Sequence, residues 1–169
     1  MRLAHHVEPP RSVRVLWMRE ERGVDSGLRR YPGDPKTLLA PPALRQVHPL
    51  GKSPVLQDGD LVLAESGAIL DYLADRYDTD RRLSPAPMPA EGAERIDYRY
   101  WLHYAEGSAM PPLLLTLVIG RIRSAPMPFF ARPIARGIAD KAERSFIGPQ
   151  RRLHLEWMER RLAESPWFA

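Results

Sequence analysis

LGKSPVLQDGDLVLAESGAILDYL, residues Leu50–Leu73, reads as two short strands, a turn and a helix. Asp58-Gly59 between SPVLQ and LVLAE is a strong hairpin signal. Ile69, Leu70, Leu73 and Tyr77 then recur at helical spacing and form an apolar stripe. Two features do not belong to a plain hairpin. Pro54, a backbone breaker, opens the first strand directly after Lys52-Ser53. Glu65-Ser66, two polar residues, end the second strand where the helix begins.

The surrounding sequence extends this pattern in both directions. RLAHHV suits a short first strand, and RSVRVLWMREERG a helix with Val13, Leu16 and Trp17 on one side and Gly23 as its stop. GLRRYP is a second, weaker strand. TLLAPPALRQVHP is irregular, or a short helix interrupted by Pro41-Pro42. The order is β-α-β-(α)-β-β-α, a small mixed sheet with helices on its faces. Three prolines and a run of small residues in LSPAPMPAEGAE mark a linker. Beyond it the pattern turns helical. AERIDYRYWLHYAEGS places Ile96, Tyr100, Trp101, Tyr104 and Ser108 on one face. PFFARPIARGIADKAERSF spaces Ile134, Ile138 and Ala142 helically, and GPQRRLHLEWMERRLAES sets Leu153, Trp157 and Leu162 opposite an Arg/Glu face. The expected class is therefore α/β plus all-α: an N-terminal domain over residues 1–80, a linker over 81–92 and a helical domain over 93–169.

Composition narrows the functional classes. The 169 residues are 44% hydrophobic and 27% charged, enough apolar material for a core. There is no cysteine, which removes disulfides, thiolate metal sites and a cysteine nucleophile. The N-terminus lacks the apolar core of a signal peptide, and PPLLLTLVIG is too short to span a bilayer. The expectation is a cytoplasmic protein with no membrane span. The formal charge of +4 is spread over arginines interleaved with acids, which argues against a nucleic-acid partner. His5, His6, His48, His103 and His154 show no metal-ligand spacing, so no metal site is expected.

The polar residues of the opening stretch suggest a ligand. A proline at a strand start loses one ladder hydrogen bond. A trans Ser53-Pro54 bond on an edge strand is the ordinary arrangement. A cis bond, which at X–Pro costs only about 0.5–1 kcal/mol, turns the chain and leaves the Ser53 backbone open to an extended, peptide-like ligand. Ser66 suits an N-cap. The same helix tip also presents free N–H groups and partial positive charge, a seat for a carboxylate. Glu65 beside that seat can hold an ammonium, and Lys52, about one strand away, a second carboxylate. Two carboxylates, an ammonium and a peptide backbone describe glutathione.

GKSPVL followed by LAESGAILDYL resembles the glutathione transferase family. The thioredoxin-like order of elements, the proline-rich linker, the helical second half and the opening HHVEPPRSVRVLW are similar to that family as well. DPKTLLAPPALRQVHPLGKSPVL and YWLHYAEGSAMPPLL are similar to a bacterial and fungal subgroup of it. The resemblance implies an N-terminal thioredoxin-like domain in which Pro54 is a cis proline, the main chain of Ser53 pairs with the cysteinyl part of glutathione, Glu65 and Ser66 bind its γ-glutamyl end, and Lys52 its glycyl carboxylate. It implies a detoxifying transfer of the glutathione thiolate to a small hydrophobic electrophile, or glutathione peroxidase activity. Tyr100, Trp101, Tyr104 and Met110 are candidates for the electrophile pocket and equally for a core stripe. A homodimer is the usual assembly. The thiol donor in the family is a Tyr, Ser or Cys in the loop after the first strand. In HHVEPPRS the only hydroxyl is Ser12, which also suits a helix cap, and His5 and His6 lie nearby. A non-catalytic, glutathione-binding protein of the same fold is the alternative. Family members continue past PWFA with further helices. The resemblance thus implies a helical half that is incomplete, exposing Leu153, Trp157 and Trp167.

Overall fold

The computed structural model describes residues 2–6, 11–25, 27–32, 40–86 and 93–169. The chain divides into two compact units, Met1–Ala90 and Glu91–Ala169. The second half of the expected linker, residues 87–92, lies outside the described residues.

In the first unit, β1 (Arg2–His6), β2 (Gly27–Tyr31), β3 (Val55–Asp58) and β4 (Leu61–Ala64) form one sheet in the order β2-β1-β3-β4. β1 runs parallel to β2 and antiparallel to β3, and β3 antiparallel to β4. α1 (Arg11–Glu21) connects β1 to β2, and α2 (Ser66–Tyr77) follows β4. Successive strand residues face opposite sides of a sheet, and β3 has a buried partner on each side. Leu56 packs with Val15 and Met18 of α1 and Ile69, Leu73 and Ala74 of α2. Val55 packs on the other face with Tyr31 and Leu44, the latter carried by a 3₁₀ turn over Pro42–Gln46. Each such side chain stabilises the fold by about 1.5–3 kcal/mol.

The hairpin between β3 and β4 differs by one residue from the sequence expectation. Asp58 pairs with Leu61 inside the ladder, so the two loop residues are Gly59 and Asp60. Gly59 has φ 61°, meeting the positive-φ requirement at the first position of a type II′ loop. Asp58 is thereby free to accept from Tyr72 Oη at 2.7 Å and Tyr77 Oη at 3.4 Å, tying the hairpin to α2. The Tyr72 bond holds the Asp58 carboxyl below its ordinary value. Arg76 and the Tyr77 bond add to that effect, and partial burial opposes it.

α1 presents a different face from the one expected. Ser12, Val15 and Met18 are buried, whereas Val13 and Trp17 are 61% and 56% exposed. The two stripes are one residue apart, about 100° around the helix, and Leu16 borders both. Hydrophobicity ranks Trp17 and Val13 above Ser12. The face that packs is the one carrying Val15 and Met18 against Leu56, Ile69, Leu73 and Ala74, and Ser12 is buried with it. Gly23, at φ 59°, does stop the helix: its N–H reaches Glu20 O at 3.1 Å and that of Val24 reaches Arg19 O at 3.0 Å.

A buried carboxylate closes the lower end of this unit. Asp78, 0% exposed, accepts from Ser84 Oγ at 2.8 Å, Leu83 N–H at 3.0 Å and Arg82 N–H at 3.2 Å, with Arg22 Nε at 3.3 Å. Arg22 in turn pairs with Asp80. Burial pushes the Asp78 carboxyl up, but the bonds from Ser84 and Leu83, together with Arg22, outweigh it and leave the group below its ordinary 3.8.

The second unit is helical: α3 (Ala93–Tyr104), α4 (Met110–Ser124), α5 (Arg132–Ala142) and α6 (Gly148–Glu164). Four helices thus stand where three were expected. PPLLLTLVIG, weighed only as a membrane span, lies within α4, and among the described residues no helix is long and apolar enough to cross a membrane. π-helical turns over Ala105–Ala109 and Glu143–Ile147 join α3 to α4 and α5 to α6. Prolines account for both. Pro111, Pro112 and Pro149 offer no N–H to the carbonyls four residues earlier, and the backbone widens there. At the second turn Gly148 N–H bonds Glu143 O, and a Cβ at Gly148 would meet that oxygen at 2.8 Å. Packing in this unit centres on an aromatic group. Trp101 lies edge-on to Tyr104, stacks with Trp157 at 5.9 Å and meets Phe168 at 4.7 Å. Tyr104 Oη and His154 Nδ1 are 2.7 Å apart, and Asp97 pairs with Arg161 at 2.7 Å. Ile96, Ile134, Ile138, Leu153 and Trp167, all on expected apolar stripes or edges, are exposed, with Trp157 at the boundary.

Two measurements test this fold. Met18→Ala is expected to cost about 2–5 kcal/mol and Val13→Ala no more than about 0.5 kcal/mol in urea denaturation; equal costs would return the buried face to Val13 and Trp17. Asp78→Asn is expected to cost about 2–4 kcal/mol at neutral pH by removing the charge from a buried network. Because the folded carboxyl is depressed, its stabilisation is complete above the unfolded carboxyl range and is lost as pH falls through the folded value. The variant therefore loses less stability on acidification than the parent, and parallel acid limbs in the two proteins would contradict the assignment.

Candidate functional site

β3 pairs antiparallel with both neighbours, and its first residue, Val55, lies opposite Ala4 of β1 and Ala64 of β4. Ser53 and Pro54 lead directly into Val55, and Glu65 and Ser66 directly follow its partner Ala64. The end of β1, the entry to β3 and the start of α2 therefore meet at one edge of the sheet. α1 also begins after β1. Strand ends and helix N-termini converge there because β1 leads into α1, while β4 leads into α2.

The Ser53-Pro54 bond is cis. Pro54 itself is buried, Ser53 is half-buried, and Lys52 is exposed in the loop before it. Glu65 has φ 72° and ψ 119°, a conformation that L side chains rarely adopt, and it is the residue at the N-cap of α2. Its carbonyl accepts the first helical bond, from Ile69 N–H at 3.0 Å. Ser66 is the first residue of the helix and not its cap, contrary to the sequence expectation; no side chain caps this helix. The physical reason is that the turn from strand to helix is made by the Glu65 backbone, which leaves Ser66 already helical. Ser66, Gly67 and Ala68 form the first turn, the positive end of α2. The unusual φ of Glu65 was invisible in the sequence, since the residue is neither glycine nor asparagine.

The other candidates fall as follows. Ser12 is the second residue of α1, 1% exposed, and its Oγ has no hydrogen-bond partner among the described residues. It is not an N-cap, because α1 already includes Arg11. His5 and His6 lie on β1, in register with Arg30 and Tyr31 of β2. Residues 7–10 of the expected donor loop lie outside the described residues. In the second unit Trp101 and Tyr104 are buried in the aromatic group, Tyr100 is partly exposed and accepts from Trp157 Nε1 at 3.2 Å, and Met110 is half-buried at the start of α4. Burial, with Tyr100 nearby, pushes the Tyr104 phenol up. An open groove of about 970 Å³ runs along α6, lined by Leu155, Met158, Arg160, Leu162 and Phe168 among others, and contains none of these four. No group of three or more His, Asp or Glu among the described residues could hold a metal ion.

Comparison with known proteins agrees with this geometry. A family model described as the N-terminal domain of glutathione S-transferase matches residues 10–76. Glutathione S-transferase 3 of Schizosaccharomyces pombe is 32% identical over 171 residues, spanning 100% of this chain and 67% of that protein. The crystal structure of a glutathione S-transferase from Actinobacillus pleuropneumoniae superposes with a TM-score of 0.74 at 32% identity, over 99% of this chain and 68% of that one. A Phanerochaete chrysosporium glutathione transferase solved with oxidized glutathione shares the fold, with a TM-score of 0.70 at 21% identity over 99% of this chain and 69% of its own. A relative 32% identical over the whole of this chain and two thirds of its own length places this chain in the glutathione S-transferase family.

Proposed function

We propose that the protein binds glutathione at the edge formed by Ser53, Pro54, Glu65 and Ser66 and transfers its thiolate to small apolar electrophiles. The observation that carries this is Glu65, held at φ 72° on the tip of α2 beside the entry to β3. In this reading the Ser66 hydroxyl and the positive end of α2 take the γ-glutamyl carboxylate, and the Glu65 carboxylate takes the ammonium. The main chain of Ser53 pairs with the cysteinyl residue, and the exposed Lys52 takes the glycyl carboxylate.

A free thiol has a pKa of about 8.5, and the thiolate is the nucleophile. The residue asked to favour it is Ser12, whose buried hydroxyl has no partner among the described residues and sits in the first turn of α1, where the helix end adds positive potential. The sulfur then bonds the electrophilic carbon, and the leaving group departs with the electron pair of the broken bond. Tyr100 and Met110 keep accessible surface for an apolar electrophile, whereas Trp101 and Tyr104 serve packing. The assembly that accompanies this activity is a homodimer.

Burial of Ser12 at 1% exposure supports a second reading, glutathione binding without turnover, because a hydroxyl closed off from solvent is also a plain packing residue.

Retention on immobilised glutathione, followed by conjugation and hydroperoxide assays, separates the two. Glu65→Ala and Ser66→Ala are each expected to weaken retention about tenfold or more, the loss of roughly one charge-assisted hydrogen bond. Variants that bind like the parent would remove the site. Ser12→Ala is expected to lower kcat at least tenfold with little change in retention; a parent that is retained yet turns over no substrate would establish the binding-only alternative.

A further inference from the structure

The hairpin of α4 and α5 ends in a tip unlike the rest of the surface. Phe129 and Phe130 stand there 83% and 66% exposed, their rings edge-on at 5.7 Å. Arg121 and Arg123 occupy the last turn of α4, and Arg132 and Arg136 the first turns of α5; all four are exposed. Between Glu106 and Asp140 the sequence contains no acid. Arg123 is paired with Asp140, and Arg132 donates to Met127 O at 3.3 Å, a bond that braces the loop. Ile134 and Ile138, four residues apart on α5 and 64% and 62% exposed, continue the apolar surface away from the tip.

We infer that this tip docks on an anionic membrane surface, the two phenylalanines entering the headgroup layer while the arginines meet lipid phosphates and carboxylates. Exposed aromatic rings flanked by basic residues with acids excluded are what such a surface rewards. A second copy of this tip is a poor occupant, because Arg121, Arg132 and Arg136 would meet their counterparts with Asp140, already paired to Arg123, as the acid nearest to them in sequence. Nucleic acid would use the arginines but would leave Ile134 and Ile138 without a role. Docking here requires no crossing of the bilayer and does not depend on glutathione binding.

Flotation of the full chain with vesicles tests this. Vesicles of phosphatidylcholine mixed with phosphatidylserine are expected to retain the protein, and pure phosphatidylcholine vesicles to release it. Phe129→Ser with Phe130→Ser is expected to lower the partition coefficient at least tenfold while leaving retention on immobilised glutathione at the parent level. Arg121→Gln or Arg136→Gln should each lower it about fivefold, and Leu153→Ser, on a separate exposed apolar position, should leave it unchanged. Equal binding to neutral vesicles, or equal loss from Leu153→Ser, would show unspecific adhesion and overturn the proposal. So would competition by duplex DNA that persists in the double phenylalanine variant, which would assign the arginines to nucleic acid, or displacement by inorganic phosphate alone, which would reduce the site to one for free anions.

Discussion

The burial of β3 on both faces is the constraint from which the rest of the first unit follows. Val55 and Leu56 are each 0% exposed, and they belong to two separate apolar groups on opposite sides of the sheet. A slip of one residue would exchange these faces and carry the whole strand with it. The same register, through the Val55–Ala64 pair, brings the residues before Val55 and after Ala64 to one end of the sheet. Core packing and site geometry are therefore one specification, and neither can be changed without the other. Proline at the entry also ends the ladder: position 54 has no N–H to give to a neighbour, so pairing stops at Val55 and the backbone beyond it is available for another use.

Glu65 shows how that specification is spent. A non-glycine residue at positive φ costs on the order of 1–3 kcal/mol. It persists because both sides are held: Ala64 is locked to Val55 in the ladder, and Ile69, one turn into α2, is buried in the core with its N–H on the Glu65 carbonyl. Burial of Ile69 and Leu73 at about 1.5–3 kcal/mol each exceeds the cost. The tip of α2 is thus aimed by residues a turn or two away from the ligand seat, and a carboxylate rather than a glycine can stand there.

Much of this was legible in the sequence where local chemistry and packing agree. SPVLQ-DG-DLVLAE specified a hairpin, Gly23 a helix stop, and Ile69, Leu73 and Tyr77 the inner face of α2, because period, turn residue and burial all point the same way. The failures have separate causes. On α1 the apolar residues Val13 and Trp17 outrank Ser12 in hydrophobicity, yet it is the Val15 and Met18 face, with Ser12 on it, that meets the core. A serine before an apolar run reads as a cap; the backbone turn at Glu65 puts Ser66 inside the helix, and nothing in the residue types announces it. The family resemblance, not periodicity, joined Lys52, Ser53, Pro54, Glu65 and Ser66 into one site. α4 is hidden in the sequence because Pro111-Pro112 reads as a break, whereas here the helical run continues past them through a π turn.

Prolines organise the two units by the same deficiency with opposite results. At a strand entry a missing N–H ends pairing and opens an edge. Inside a long helical run it leaves a carbonyl one turn earlier without its donor, and the chain responds by widening into a π turn, as it does before Pro111-Pro112 and Pro149. Widening keeps the run continuous instead of breaking it. It also shifts the angular phase of everything that follows, because one extra residue in a turn rotates the next helix by about 100°. The stripe drawn from Ile96 through Tyr104 to Ser108 departs from the buried face both before and within the first such turn: Ile96 and Tyr100 are exposed before it while Trp101 and Tyr104 join the aromatic group, and Ser108, within it, is exposed. A regular 3.6-residue period cannot be carried through such a turn, so in this unit the prolines, more than the apolar count, decide which residues are inside.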